Sequence, residues 1–146
     1  MGTSEGSQDR AGLDHQGLEV IDVDECWELL GSQPVGRVAF VDAGEPMVLP
    51  VNHAVVGRRV VFRTRPGTLL HEALMREPVA FQVDDFDVAR RSGWSVLVRG
   101  VADLAEDPDT LWATELDAWA DGVERDDWVE IRAEEISGRR IVHHHG

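Results

Sequence analysis

The middle of the chain is a series of short segments rich in β-branched residues, each closed by a turn signal. Residues 35–41 end at an Asp-Ala-Gly-Glu turn, residues 47–55 contain Pro50, and residues 59–64 precede an Arg-Pro-Gly turn. Breaks at such short intervals leave no room for long helices and predict antiparallel strands joined by tight connections, here a three-stranded meander. Pro50 has no amide hydrogen to donate, so it predicts a bulge or a sheet edge in the second strand.

Three more strands are predicted further along the chain, at residues 79–83, 94–102 and 128–134. The last of them alternates apolar and polar residues, as a half-buried strand does. The acidic stretch at residues 84–87 predicts a loop between two of these strands. Six strands with helices at the flanks predict a mainly β fold, a small antiparallel β-barrel with flanking helices.

A helix is predicted at residues 23–30. Asp22 precedes it and can cap its amino end, with Glu25 three residues further on. One apolar face of this helix is expected to pack on the core, formed by Val23, Cys26, Trp27 and Leu30. Cys26 is therefore expected in the core rather than as an exposed, reactive thiol.

Two further helices are predicted, at residues 69–76 and from Asp107 onward, where a proline occupies the first turn. No internal repeat and no linker divides the chain. We therefore expect one domain at residues 19–142, between a loosely ordered N-terminal arm (residues 1–18) and a C-terminal tail (residues 143–146).

The charge of the chain excludes several classes of function. All 14 basic residues are arginine, against 28 acidic residues, which gives a net charge of −14. A surface this acidic repels phosphate backbones, so nucleic acid is not an expected partner. Because the chain contains no lysine, it can form neither a lysine Schiff base nor a P-loop.

The numbers of cysteines and histidines exclude further kinds of site. Cys26 is the only cysteine, which excludes an intrachain disulfide. His53 and His71 are too few for a three-histidine metal site, and the histidines at 143–145 belong to the tail, so no metal site is expected. No apolar run approaches the roughly 20 residues of a membrane span, and the amino terminus lacks a secretory signal. We therefore expect a cytoplasmic protein with no membrane partner.

The segment at residues 62–69 (FRTRPGTL) combines a strand, a Pro-Gly turn and a helix start. Arg63 and Arg65 lie just before the turn, and Thr68 can cap the helix. Arginine chelates phosphate oxygens, and a helix start presents free N–H groups, so the segment is a candidate phosphate site. The alternative is an ordinary strand–turn–helix with surface arginines.

Trp94 and Ser95 open a predicted strand directly after an Arg-Arg-Ser-Gly turn. An indole at this place is either packed in the core or forms an aromatic wall over a planar ligand, since stacking on a ring stabilises such a ligand.

Taken together, these motifs resemble the split-barrel flavoprotein family that includes pyridoxamine 5′-phosphate oxidase, and in particular the short proteins related to nitroimidazole reductases. The resemblance runs from about Val20 to Ile141 and rests on the order and spacing of six motifs. They are residues 35–38 (VGRV), 49–52 (LPVN), 62–68 (FRTRPGT), 81–84 (FQVD), 93–100 (GWSVLVRG) and 137–141 (SGRRI).

The resemblance implies a split β-barrel homodimer that binds FMN at the subunit interface and acts on a small-molecule substrate. The function it implies is an FMN-dependent oxidoreductase that transfers hydride or electrons between reduced nicotinamide and a small organic acceptor. No catalytic acid or base is assigned. The cofactor-binding residues it implies are Val51, Asn52, Arg63, Thr64, Arg65, Thr68, Leu69, Trp94 and Ser95.

The chain departs from the family at one of these positions, because Leu69 stands where the family usually has a lysine that pairs with the FMN phosphate. This difference keeps three alternatives open. Related split barrels bind a deazaflavin coenzyme or haem, and a chain that has lost FMN could serve as a non-enzymatic ligand-binding module. For haem, His53 and His71 are the candidate iron ligands.

Overall fold

The computed structural model describes residues 18–74, 77–111 and 127–141, which form eight strands and three short helices. The strands are β1 (Glu19–Ile21), β2 (Val35–Asp42), β3 (Glu45–Asn52), β4 (Ala54–Val56), β5 (Arg59–Thr64), β6 (Pro78–Asp87), β7 (Ser92–Leu104) and β8 (Asp127–Ile141). The helices are α1 (Val23–Leu30), α2 (Leu69–Leu74) and α3 (Pro108–Leu111).

All strand pairs are antiparallel and belong to one sheet with the order β3-β2-β6-β7-β8-β5-β4, while β1 pairs with the far end of β8. Only His53 separates β3 from β4 in the chain, yet these two strands lie at opposite ends of the hydrogen-bonded path. The sheet therefore curls until its two ends meet, and β3 contacts β5 there. This confirms the predicted antiparallel barrel. Pro50 lies on β3, which pairs only with β2, so its prediction of a sheet edge is also confirmed.

The two antiparallel pairings of the predicted three-stranded meander are confirmed, although its second strand is divided at His53 into β3 and β4. β2 and β3 form one hairpin and β4 and β5 form another, but β2 continues the sheet through β6 whereas β5 pairs with β8. Turn signals report only which strands are joined by short connections, so they identify both hairpins. The partners that separate the hairpins lie far away in the chain, and no local signal reveals them.

Two further differences concern the strand boundaries. Residues 84–87 were expected to be a loop, but they extend β6, and Asp87 pairs with Ser92 at the end of the β6–β7 hairpin. Their carboxylates are exposed, so extended pairing with β7 carries no cost of burying charge. Where six strands were predicted, the described residues contain eight, because the second breaks at His53 and the short β1 was missed.

Helix α1 has the predicted bounds, and the Asp22 carboxylate accepts a hydrogen bond from the Glu25 amide at 2.9 Å. Cys26, Trp27 and Leu30 are buried, as expected. Val23 was expected on the same buried face but is 43% exposed, since only the later turn of this eight-residue helix lies against the core.

The other two helices are described only in part. Helix α2 begins at Leu69 as predicted, and residues 75–76 of its predicted span lie outside the described residues. Helix α3 begins at Pro108, as expected from the Asp-Pro signal. Its predicted continuation, like residues 1–17 and 142–146 at the termini, lies outside the described part of the chain.

The core is divided between the two faces of the sheet. The main cluster fills the barrel and includes Phe62, Phe81 and Ile131. A smaller cluster on the outer side, Val61, Leu111 and Trp128, packs beneath the start of α3. The Arg59 guanidinium bonds both the Asp107 and the Glu130 carboxylates and thereby fixes the α3 segment over this second cluster.

Candidate functional site

Seven of the nine predicted site residues lie where β3 and β5 end and the chain turns into α2. Val51 and Asn52 end β3, and Arg63 and Thr64 end β5. The β4–β5 pairing begins at Ala54 and Val61, and β3, which ends at Asn52, also contacts β5. The remaining three follow directly in the connection to α2 and at its first residue, Arg65, Thr68 and Leu69.

Thr64 has the most informative environment in this group. The residue is 4% exposed, and its hydroxyl is buried without a hydrogen-bond partner among the described residues. Leaving a buried hydroxyl unsatisfied costs about 1–3 kcal/mol, and such groups in native proteins call for an explanation. A ligand that forms a hydrogen bond with this hydroxyl supplies one.

The turn after Thr64 is held by its own hydrogen bonds. Gly67 has a φ of +84°, a left-handed conformation that glycine adopts without strain. The Thr68 hydroxyl donates to the Arg65 carbonyl at 2.7 Å and accepts from the His71 amide at 3.3 Å, which confirms Thr68 as the cap of α2. The turn is therefore ordered by the chain itself.

Charges of both signs surround this turn. The Arg63 guanidinium lies 5.7 Å from the centre of the Trp128 ring, a cation–π distance, and Arg65 is exposed. Asp127 pairs with Thr64 across the β5–β8 ladder, and its carboxylate lies 2.8 Å from Nε2 of His71. Arg63 and Arg65 are the arginines of this group of residues, and an arginine guanidinium can chelate an anion.

Trp94 and Ser95 lie apart from the other seven. They pair with Arg140 and Arg139 near the end of β8, while Arg63 pairs with Trp128 near its start. Trp94 is half-buried and packs against the main core, but it also lines two small cavities of 200 and 210 Å³. The indole therefore packs on the core and borders open space, and its role as an aromatic wall over a ligand stays a prediction.

The structure buries both His53 and Cys26. His53 is buried, and its Nε2 lies 2.7 Å from the Leu30 carbonyl oxygen, so that nitrogen is occupied and inaccessible to a haem iron. Cys26 is buried, and burial raises the pKa of its thiol to about 11, with Asp22 and Glu25 adding to the effect. Its assignment to the core is confirmed.

An apolar patch on the outside of the barrel was not predicted from the sequence. Ala39 pairs with both Val48 and Ala80, and Val41 pairs with Pro46, so these side chains form adjoining rows on the face opposite the core. We call this the outer face, defined by these five residues. It borders a groove of 590 Å³, and Val41 and Val48 are 60% and 63% exposed. The sequence signal for this patch was the presence of an apolar residue, Val41 or Val48, at an outward-facing position on each side of the β2–β3 turn.

Comparison with known proteins gives the following similarities. A family profile described as pyridoxamine 5′-phosphate oxidase matches residues 22–140. The uncharacterized protein Rv0080 of Mycobacterium tuberculosis is 39% identical over 129 residues, which are 84% of each chain.

Two solved structures are also similar. The FAD-binding protein from Mycobacterium smegmatis is 34% identical, with a TM-score of 0.71 over 85% of this chain and 98% of that one. A FAD-binding protein from Mesorhizobium loti is 25% identical, with a TM-score of 0.68 over the same shares of the two chains. Among the described residues, no helix has the length and apolar character needed to cross a bilayer.

Proposed function

Since the chain belongs to the pyridoxamine 5′-phosphate oxidase family, whose split-barrel fold it shares, we propose that it is a flavin-dependent oxidoreductase. A flavin bound there would supply the chemistry for hydride or electron transfer between reduced nicotinamide and a small organic acceptor. The ends of β3 and β5 with the turn into α2 are the proposed binding site.

The observation that carries this proposal is the buried hydroxyl of Thr64, which lacks a partner among the described residues. Arg63 and Arg65 flank Thr64 in the sequence, and a ligand with an anionic tail and hydroxyl groups matches these residue types. Arg63 and Arg65 would bind the phosphate end, and Thr64 would orient the chain that joins phosphate to ring. No side-chain acid or base is assigned.

Replacing Thr64 with valine tests the role of this hydroxyl. Valine keeps the shape and removes the unsatisfied group, so we expect the free energy of unfolding of the ligand-free protein to rise by about 1 kcal/mol. The dissociation constant of the flavin should increase about tenfold, because a hydrogen bond to the ligand is lost. Chemical denaturation and flavin titration measure the two effects separately.

The matched control is Thr110→Val, at an exposed position in α3, which should change neither quantity. The titration uses both FMN and FAD and follows visible absorption after removal of the excess. A protein that stays colourless with both flavins contradicts the proposed function. A Thr64→Val variant that loses stability and keeps its flavin affinity contradicts the role of Thr64.

We further infer that the active form is a homodimer. In one protomer, β2 and β6 lie between the strand that carries Asn52 and the strand that carries Ser95. At the usual strand spacing these two strands are about 14 Å apart, measured around the convex outside of the barrel. A planar ring does not contact both from one side. A second copy that presents its own Trp94 and Ser95 to the β3–β5 end completes the site.

The outer face supports this assembly. Its row of apolar side chains, Val48, Ala39 and Ala80, borders the Arg99–Glu135 ion pair, an apolar centre with a polar margin. In a two-fold dimer such a patch packs against its own copy.

A charge on the outer face should therefore separate the subunits. Val48→Asp places two carboxylates in the proposed interface, and we expect the dimer to dissociate at least about 100-fold more readily, with parallel loss of flavin affinity. Val88→Asp is the control, because Val88 is 77% exposed in the β6–β7 turn. Analytical ultracentrifugation measures both variants. A Val48→Asp protein that remains dimeric places the interface elsewhere.

FAD is the second candidate for the cofactor, favoured by two observations. The similar structures from M. smegmatis and M. loti are described as FAD-binding. In addition, Leu69 leaves the turn without the lysine that neutralises a terminal phosphate. The FMN phosphate is a monoester close to doubly charged at pH 7, whereas each phosphate of FAD carries one charge. FAD therefore depends less on a cation at position 69.

A further inference from the structure

His53 is the one residue between β3 and β4, directly after Asn52. It is attached to the α1–β2 connection at two points. Its ring nitrogen Nε2 lies 2.7 Å from the Leu30 carbonyl oxygen, and its backbone amide donates to the Pro34 carbonyl at 3.1 Å. The ring also meets the face of Phe81 edge-on, with 4.9 Å between the ring centres. These contacts fix the end of β3.

The hydrogen bonds determine which nitrogen carries the proton. A carbonyl oxygen only accepts, so Nε2 carries the hydrogen and Nδ1 is the unprotonated nitrogen. Nδ1 is buried and has no partner among the described residues. A second proton would therefore place a positive charge in a buried environment, and burial disfavours that charge more than the Leu30 and Pro34 backbone hydrogen bonds favour it.

Among the residues that the structure describes, no charged side chain is identified as an influence on the ring. The groups identified around it are Leu30 of α1, Pro34 of the connection and Phe81 of β6. Burial lowers the pKa of His53, the two backbone hydrogen bonds oppose this effect, and no charged side chain contributes. The arrangement thus tolerates only the neutral ring.

We propose that His53 is a positioning residue that locks the end of β3 onto the α1–β2 connection, and that its protonation opens this lock and releases a flavin bound at Asn52. This inference rests on the proposed function for its ligand, although the lock itself does not. Opening needs only local separation of residues 51–54 from Leu30 and Pro34, while the long β6–β7–β8 ladder remains paired.

The direction of the pH effect follows from linkage. The open state takes up a proton near the ordinary histidine pKa of about 6.5, and the closed state does not. The equilibrium constant for closing is therefore independent of pH above about pH 6.5, and it falls by up to tenfold for each pH unit below that value. Flavin binds the closed state, so its affinity should fall with acidification once opening becomes appreciable.

The experiment compares wild type with His53→Gln at about pH 7.5 and about pH 5, on the two sides of the unperturbed pKa. Glutamine can donate to the Leu30 carbonyl from nearly the same place and does not titrate. FAD is the probe, because its diester phosphates do not titrate in this range. We expect its dissociation constant to rise about tenfold or more for wild type at acid pH and about threefold or less for the variant.

Urea denaturation at both pH values, without any flavin, tests the lock independently of the proposed function. Wild type should lose stability at acid pH and His53→Gln should lose less, even if the protein binds no flavin. His71→Gln is the matched control and should keep the acid response. Equal acid responses in wild type and His53→Gln overturn the proposal, and loss of the response in His71→Gln assigns it to His71 instead.

If His53→Gln does not fold, hydrogen exchange on the wild-type protein tests the proposal. The amides of residues 51–54 should lose protection at about pH 5, after correction for intrinsic exchange, while β6 and β7 remain protected. Full protection of residues 51–54 at acid pH overturns the proposal.

Discussion

The Leu69→Lys variant should bind FMN about 10- to 150-fold more tightly than the wild type. A lysine at this position would give the FMN phosphate a charge-assisted hydrogen bond, worth about 1.5–3 kcal/mol, which leucine cannot provide. The affinity for FAD should change much less, because its phosphates are diesters. Fluorescence titration with both flavins measures the ratio of the two affinities directly.

The control for this experiment is Leu104→Lys, which adds the same charge at an exposed position near the end of β7. This control corrects for the general effect of one added positive charge, which makes the chain less negative and attracts any anionic flavin. Unchanged or weaker FMN binding in Leu69→Lys, relative to this control, shows that position 69 does not face the phosphate.

The second large effect concerns stability and arises from Arg59. Its guanidinium bonds the Asp107 carboxylate at 2.8 Å and the Glu130 carboxylate at 2.6 Å, and the Glu130 side chain is 3% exposed. These hydrogen bonds to Asp107 and Glu130 hold the pKa of the guanidinium well above its usual range. Removing one partner of a buried ion pair costs about 3–5 kcal/mol.

Arg59→Met should therefore lower the free energy of unfolding by about 3 kcal/mol, the lower end of that range, because Arg132 still bonds Glu130 at 2.6 Å. The melting temperature should fall by roughly 10 °C. Arg132→Met is the matched control and should cost much less than Arg59→Met, since the Arg132 side chain is 66% exposed. Calorimetry measures both. A loss below about 1 kcal/mol in Arg59→Met means that the network does not anchor the α3 segment.

Local signals predicted a large part of the fold. Asp22 and Glu25 predicted the start of α1, Thr68 predicted the start of α2, and Pro50 predicted an edge strand. Each of these residues acts on its immediate neighbours through a hydrogen bond or the lack of one, so its effect is visible in sequence.

What the sequence did not predict depends on distant pairing. No local pattern indicates that β5 joins β8 or that residues 84–87 continue as a strand beside β7. Val23 fits the apolar face of α1 but lies beyond the core, which the helical period alone does not show.

The candidate site divides in the same way. The motif from Arg63 to Thr68 was recognisable from its residue types, and the flavin came from the family resemblance rather than from those residues. The unsatisfied hydroxyl of Thr64 and the packing of Trp94 on the core are three-dimensional facts. Only the folded chain shows them.

The separation of the two hairpins also determines when the barrel can close during synthesis. Strand β5 pairs with residues that lie 63 to 73 positions further along the chain, so the β4–β5 hairpin leaves the ribosome long before its partner exists. Until β8 is translated, β5 has β4 on one side only, and its unpaired second edge invites association with other nascent chains. Such distant pairing also predicts slow refolding for a chain of this size. Chaperone dependence should therefore be greatest for truncated chains that end before Asp127.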